Sequence, residues 1–487
     1  MTAMVKRFVF GAVFLAVFLC TLPAFAAGPA IEKIEVNGEP AAQVAVVTGN
    51  TVSIAVYAPE AESVRVGSQS AALAGGKWVV ENYVLRSGKN SVSIVAKSGS
   101  GSTTQQIILT YLNQALPGAN YYTPSILNVK SIDAFNKACL ISFPQGDFLN
   151  DEGTAKPAGD QSITISVFAP GDKPDQYHTF VSQVYRVSVA ESNYKLVWPG
   201  TVTIQYDSQV SIASGDYLTV WYSTDNAWSS SDMILGGFVD TGKRTITVPF
   251  AVRDGDEDGS YDQHGYYAVF IANRDFAEFD RNMVPDPNLE WSRPYVLPLW
   301  AKGVMERSTA RGEDYFGLIK DGSLQEKEAS RLEFTRMIVK GMGFPLVDVS
   351  GAYTPTFDDV TKAVYPDDFV YVETAARLGI INGFREGGEA LFKPGDFLTR
   401  EQAATVIARV ANLAVNADQD KVSAELAKIF KLDYADISAW ARPYVLAAYK
   451  GGYIKGYGDG SFGPLELFTR AQEAKLVYYL IKKAKKV

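Results

Sequence analysis

The sequence predicts a multidomain protein: two all-β sandwich modules followed by an α-helical domain made of three related segments. Three observations carry this. Up to about residue 285, short β-branched runs alternate with Gly, Ser, Asn and Pro turns. Beyond Asp286 the apolar period changes from two to about 3.6, and from there the text repeats itself three times before the C-terminus. The 487 residues suggest about three domains. A composition of 47% hydrophobic and 21% charged residues excludes disordered, collagen-like and multi-span membrane chains.

Residues 1–26 read as a signal peptide. Lys6 and Arg7 precede an apolar stretch from Phe8 to Cys20, and Ala24-Phe25-Ala26 offers a small-residue cleavage site. The apolar run is shorter than the ~20 residues a membrane helix needs, so the exported chain is expected to carry no transmembrane segment. Cleavage removes two of the cations that offset the acids in a formal charge of −8, which argues against nucleic acid as a partner. It also removes Cys20, leaving Cys139 with no internal disulfide to form. With only His178 and His264, neither a Cys/His zinc site nor a histidine-dependent nucleophile is expected.

In residues 27–115, the runs Ile31 to Val36, Thr51 to Tyr57, Ser91 to Lys97 and Gln105 to Tyr111 predict strands, and Trp78 is expected in the core. The pattern is similar to the immunoglobulin-like modules of bacterial surface proteins. In residues 116–285, strands are predicted at Ile163 to Phe168, Tyr185 to Val189, Thr201 to Tyr206, Tyr217 to Tyr222 and Thr245 to Phe250. After the last of these, Asp254, Asp256, Asp258, Ser260 and Asp262 fall at the odd positions of a calcium loop, with Gly259 sixth. The twelfth position is Gly265 instead of Glu and the flanks read as strands, so this is no EF-hand. A calcium site in a β-loop competes here with a solvated acidic turn, the plainer reading, and no cofactor is required.

The helical region, residues 286–487, aligns on three glycine turns: Gly303-Val304-Met305, Gly379-Ile380-Ile381 and Gly452-Tyr453-Ile454. Upstream, Trp291-Ser292-Arg293-Pro294-Tyr295-Val296 matches Trp440-Ala441-Arg442-Pro443-Tyr444-Val445, while the middle segment has Asp367 in place of the tryptophan. Downstream come Ser330-Arg331-Leu332-Glu333, Thr399-Arg400-Glu401-Gln402 and Thr469-Arg470-Ala471-Gln472. Each predicts a capping box, in which Ser or Thr accepts from the third backbone N–H and Glu or Gln reaches back. The segments run over about 286–345, 355–415 and 432–487, each ending in a capped helix. Lys482, Lys483, Lys485 and Lys486 suit the end of the last helix by dipole complementarity and need no partner.

These motifs resemble the S-layer homology family, whose repeat passes from Phe-x-Asp-Val and a Trp-led helix through a Gly-Ile turn and Asp-Gly-x-Phe-x-Pro to Thr-Arg-Ala-Glu. The third segment matches with Asp436-Ile437, Trp440, Gly456, Asp459-Gly460-Ser461-Phe462, Pro464 and Thr469-Arg470-Ala471. The second keeps Phe357, Asp359-Val360, Gly383, Phe392, Pro394 and Thr399-Arg400; the first keeps Trp291, Gly303, Asp321-Gly322 and Ser330-Arg331.

The resemblance implies a pseudo-threefold helical unit with grooves between copies, holding a secreted protein noncovalently to cell-wall polysaccharide that often carries acidic pyruvylated sugars. It implies binding residues Trp440, Asp436, Gly452 and Arg470; Asp359, Gly379 and Arg400; and Trp291, Gly303 and Arg331. Each arginine stands at a first helical position, beside unpaired backbone donors where an anion would be welcome. The alternative is that it pairs with a repeat acid such as Asp359 or Asp436 and only fixes the loops. The tryptophans either stack on a sugar face or fill the core. Gln402 and Gln472 replace the family's Glu and cap as well as it does.

The expectation is a secreted, wall-attached surface or S-layer protein that is not an enzyme. Its rivals are a surface glycan-active enzyme or a lectin or adhesin acting through residues 116–285, and a self-associating S-layer lattice subunit. Peptidoglycan is the alternative wall partner.

Overall fold

The computed structural model describes residues 28–99, 101–125, 129–143, 148–150, 162–189, 194–196, 200–229, 233–250, 264–279, 289–308, 314–321, 323–349 and 353–484. The signal peptide, the acidic loop of Asp254, Asp256, Asp258, Ser260 and Asp262, and Lys485 and Lys486 lie outside the described residues. The chain divides into two compact units, residues 1–112 and 113–487.

The first unit consists of two five-stranded sheets. In one, Thr51–Tyr57 lies between Lys33–Val36 and Lys77–Val84; in the other, Gly88–Ser98 lies between Gly101–Tyr111 and Ser63–Val66. Strand alternation turns Val92, Ile94 and Ala96, with Ile107, Leu109 and Tyr111 opposite, into one core with Ile34, Val52 and Ile54. Trp78 is half-buried against this core instead of inside it, because Lys77–Val84 pairs near the sheet edge with the short strand Ala72–Ala74.

The second unit opens with another pair of sheets. One runs in the order Asn120–Thr123, Ile163–Phe168, Val184–Val189, His264–Ala272, Leu218–Ser223, Met233–Gly236, and the facing one in the order Ser131–Ala134, Cys139–Ser142, Gly200–Gln205, Thr245–Phe250, Phe238–Asp240. Their inner faces pack Ile163, Ile165, Val202, Ile204, Val220 and Val269 together. The predicted strand at Tyr217 begins one residue later, since Ile212–Tyr217 forms a 3₁₀ turn. Cys139 is fully buried in this core, and burial pushes its thiol up to about 12, which makes it inert.

Seven helices follow among the described residues: α1 (Arg293–Ala301), α2 (Arg331–Met342), α3 (Phe369–Arg377), α4 (Arg400–Val410), α5 (Gln419–Ile429), α6 (Arg442–Lys450) and α7 (Arg470–Lys483). None of the described helices is long and apolar enough to cross a membrane. The largest helical core already includes Phe276 and Phe279, upstream of Asp286.

Helices and sheet are joined along a seam. Trp300 of α1 stacks on His178 at 5.4 Å between ring centroids. Just beyond α1, the buried Lys302 ammonium donates to the Leu218 and Gly237 carbonyls at 3.0 and 2.9 Å, and burial pulls its pKa down to about 7. Gly303, at φ 66°, completes the turn where a Cβ would come within 2.9 Å of Ile234. On α7, the Tyr478 hydroxyl and Lys482 ammonium both donate to Asp216, so Lys482 does have a partner beyond the helix dipole.

Candidate functional site

The helical region is organised by the residues preceding its three capped helices. Ala329, Leu398 and Phe468 close a cyclic set of backbone hydrogen bonds: Ala329 N–H donates to the Phe468 carbonyl (2.7 Å), Phe468 N–H to Leu398 (2.8 Å) and Leu398 N–H to Ala329 (3.0 Å). Ser330, Thr399 and Thr469 then cap α2, α4 and α7 as their local sequences predict. Thr399 and Thr469 form complete capping boxes with Gln402 and Gln472. Ser330 forms half of one, because the Glu333 carboxylate turns away to pair with Arg470 at 2.8 Å.

The helix N-termini are not open anion sites. The Arg331, Arg400 and Arg470 N–H groups donate to the Asp396, Glu466 and Lys327 carbonyls, so a neighbouring segment takes the donors that helix ends leave free. The three guanidinium groups are buried, at 8%, 9% and 3% exposure, and each leans on the next segment's glycine turn. Nη2 of Arg331, Arg400 and Arg470 donates to the Asn382, Lys455 and Glu306 carbonyls in turn. Each also lies over aromatic faces: Arg331 over Phe384 and Phe392, Arg400 over Tyr457 and Phe462, Arg470 over Phe316. Burial pulls the Arg331 and Arg400 pKa values down, but both groups stay cationic.

The acids that sequence spacing offered as arginine partners do something else. Asp359 accepts from the Phe392 and Lys393 N–H groups, both at 2.7 Å, and holds the loop in place. In the third segment this task falls to Asp433, which accepts from Phe462 and Gly463, while Asp436 lies exposed in the turn Tyr434–Asp436. In the first it falls to buried Glu278, which accepts from Phe316 and Gly317 at 2.7 and 2.6 Å. A ring pair accompanies each acid: Phe276–Phe316, Phe357–Phe392 and Phe430–Phe462. Sequence reasoning missed Glu278 and Asp433; a phenylalanine two or three residues before an acid was the available signal.

The junctions between neighbouring segments differ in chemistry. Between the first and second lies a cleft of about 410 Å³ with Arg331, Asn382, Phe384, Gln402, Thr405, Arg409, Trp440 and Tyr444 in its walls. Trp440 is 51% exposed there, so it is not a core residue. Between the second and third, Lys475 stands where Thr405 would be, its ammonium 5.7 Å from the rings of both Trp291 and Tyr295. The Tyr295 hydroxyl meets that of Tyr479 at 3.3 Å. Between the third and first, the chain supplies its own counter-charges: Arg470 to Glu333, Arg336 to Glu306 (3.4 Å) and Asp368 (2.9 Å), and Lys340 to Glu306. Glu473 is buried beside them, and neither of its oxygens has a hydrogen-bond partner among the described residues. Burial, with the nearby Glu333 charge, drives its pKa well up against the pull of Arg470 and Arg336. The glycines that open the turns, Gly303, Gly379 and Gly452, all adopt φ of 66–68° and position these walls from behind.

The S-layer homology domain model matches residues 356–404 and 432–473, which are the second and third segments. The chain is 30% identical over 136 residues to the S-layer protein sap of Bacillus anthracis, spanning 26% of this chain and 15% of that protein. It is 23% identical over 345 residues to exoglucanase XynX of Acetivibrio thermocellus (69% of this chain, 29% of the relative). It is 26% identical over 328 residues to an amylopullulanase of Thermoanaerobacterium thermosulfurigenes (66% and 15%). The chain thus spans less than a third of the length of each of these relatives. The second and third segments of the cyclic helical unit are thus an S-layer homology domain. The chain is a cell-surface protein that carries an S-layer homology domain and is anchored at the cell wall.

Proposed function

We propose that all three segments are S-layer homology repeats, the first of them diverged, and that they hold the chain noncovalently to an acidic wall polysaccharide through the groove between the first and second. The observation that carries this is the cleft of about 410 Å³ that sets exposed Trp440 and half-buried Tyr444 against Arg331 and Arg409. An aromatic face and guanidinium forks are the groups that take a pyranose ring and its acid. The divergence of the first repeat is compensated by Glu278, which does for it what Asp359 and Asp433 do for the others.

The β-rich regions are then displayed modules, the first of them immunoglobulin-like, and the chain has no catalytic activity of its own. The alignment with the exoglucanase covers more of this chain than residues 286–487 contain, so the likeness reaches into the β-rich part. That favours a module that accompanies glycan-active domains over a site on residues 116–285.

The test is co-sedimentation of the full chain with wall sacculi before and after hydrofluoric acid strips the secondary polymer. Binding is expected before stripping, to be lost after it, and to fall about tenfold or more in Trp440→Ala. Binding that survives stripping would move the partner to peptidoglycan. No binding to either would overturn the anchor reading of the groove.

A further inference from the structure

Lys302 stands one residue before the Gly303 turn, where the helical domain meets the second β region, and it is 3% exposed. The two sides approach each other through glycines. A Cβ at Gly236, φ 67°, would lie 3.3 Å from the Lys302 carbonyl oxygen, and one at Gly303 would lie 2.9 Å from Ile234. With the backbones this close, the amine cannot reach water while the seam is closed. Its hydrogen bonds go to the Leu218 and Gly237 carbonyls, at 3.0 and 2.9 Å. Two acceptors match the two N–H groups of a neutral amine, whereas an ammonium carries a third. Asp216, the carboxylate that acts on it, is bonded instead to the Tyr478 hydroxyl and the Lys482 ammonium.

The groups facing the amine come from both sides of the seam. The 3₁₀ turn Ile212–Tyr217 brings Asp216 and Tyr217, and α7 brings Tyr478 and Lys482; across Trp300 lies His178, bonded to Asp175. Against the upward push of burial, bonds from Lys482 and Tyr478 hold the Asp216 carboxyl below its ordinary value, while burial lifts the Tyr217 and Tyr478 phenols above theirs. Burial brings Lys302 from 10.5 to about 7. Between these values an opened seam takes up a proton that the closed seam refuses, so opening becomes about tenfold easier for each unit that pH falls, and levels off below about 7. The residues after Lys302 also supply the Glu306 carbonyl that receives Arg470, so the seam bears on the closure between the third and first segments.

We propose that Lys302 is a proton-operated latch between the second β region and the helical domain, closed while its amine is neutral and loosened when the amine takes up a proton. The seam is then tightest in alkaline surroundings and loosest at neutral pH and below. Loosening moves the Gly303 turn away from Ile234 and lets the ammonium reach water, with neither side unfolding. The latch acts within the chain and does not depend on what the wall-facing cleft holds.

The experiment follows amide hydrogen exchange of the full-length protein between about pH 7.5 and 9.5, inside the window that Lys302 sets. Exchange is catalysed by hydroxide, so amides whose opening ignores pH, such as those of Thr51–Tyr57 in the first unit, should speed up in proportion to it. At residues 234–237 and 299–305 the opening itself should fall about a hundredfold over the same interval, which offsets the gain and leaves their rate nearly constant. Lys302→Met, with no proton to take up, should restore the full rise at these residues, and Lys302→Gln should do the same if the methionine variant fails to fold. Wild-type seam amides that speed up with hydroxide as residues 51–57 do would overturn the latch. A constant rate that persists in the Lys302 variants would overturn it too, because the pH response would then belong to another group.

Discussion

The cleft between the first and second segments and the junction between the third and first are built on the same turn, cap and arginine, yet one is open and the other is an ion-pair network. Arg331 in the first is held by two carbonyls and two aromatic rings. Arg470 in the second has one carbonyl, one ring and the Glu333 carboxylate. The difference teaches that the arginine common to all three segments is first a structural clasp between neighbours. What differs is the set of residues around the clasp: amides and an exposed tryptophan in one, carboxylates and Asp367 in the other.

The comparison is broken most forcefully by removing the clasps. Arg470→Met strands the Glu333 charge next to Glu473 in a buried setting and should cost about 3–5 kcal/mol. Arg331→Met leaves only the Phe392 and Asn382 carbonyls unpaired and should cost about 1–3 kcal/mol. Urea unfolding of the two variants measures the gap, and equal losses would mean that the ion pair adds nothing to the clasp.

A pH series on Glu473→Gln gives the next largest effect. The folded-state pKa of Glu473 is raised above its unfolded value, so its contribution to stability is full below pH 4.5 and is lost as pH rises through the folded value. The variant, facing Glu333, Arg470 and Arg336 as an uncharged amide, should match wild type near pH 4 and melt higher at pH 8. A variant that melts lower at pH 8 would show that the charged carboxylate is stabilising there.

The seam residue Lys302 offers a smaller effect of the opposite slope. Its pKa is lowered to about 7, so the unfolded chain holds more protons between pH 7 and the ordinary lysine value, and stability from this group should rise across that window. Replacing it with Met should flatten the rise of melting temperature between pH 7 and 10. The smallest effect on stability is expected of Trp440→Ala, within about 0.5 kcal/mol because the ring is half exposed, although it should remove most wall binding.

What the sequence made legible was whatever depends on neighbours along the chain. Ser330, Thr399 and Thr469 cap helices at the expected residues because a cap needs only its own third N–H. Strands Thr51–Tyr57, Ile163–Phe168 and Thr245–Phe250 appear at their predicted bounds because β-branched alternation is local. The loop-holding acids were harder, since their partners lie 29 to 39 residues away and their distance from the glycine turn varies. Asp436-Ile437 satisfied the motif locally while Asp433 made the bonds. The half capping box at Ser330 shows the same limit, for Glu333 chose between two partners and only the fold brings Arg470 within reach. Helix α5 and the seam through Lys302 were not foreseen: α5 lies between the repeated motifs, and a buried lysine paired with carbonyls leaves no pattern in the chain.

Occupancy of the groove between the first and second segments by the wall polymer is directly measurable. Hydrogen exchange on the full chain, with and without soluble polysaccharide released from the wall, addresses it directly. Added protection is expected over residues 380–392 and 402–410 and around Trp440, with residues 304–308 and 333–340 unchanged. Protection centred on 304–308 and 333–340, with the cleft beside Trp440 unaffected, would contradict it.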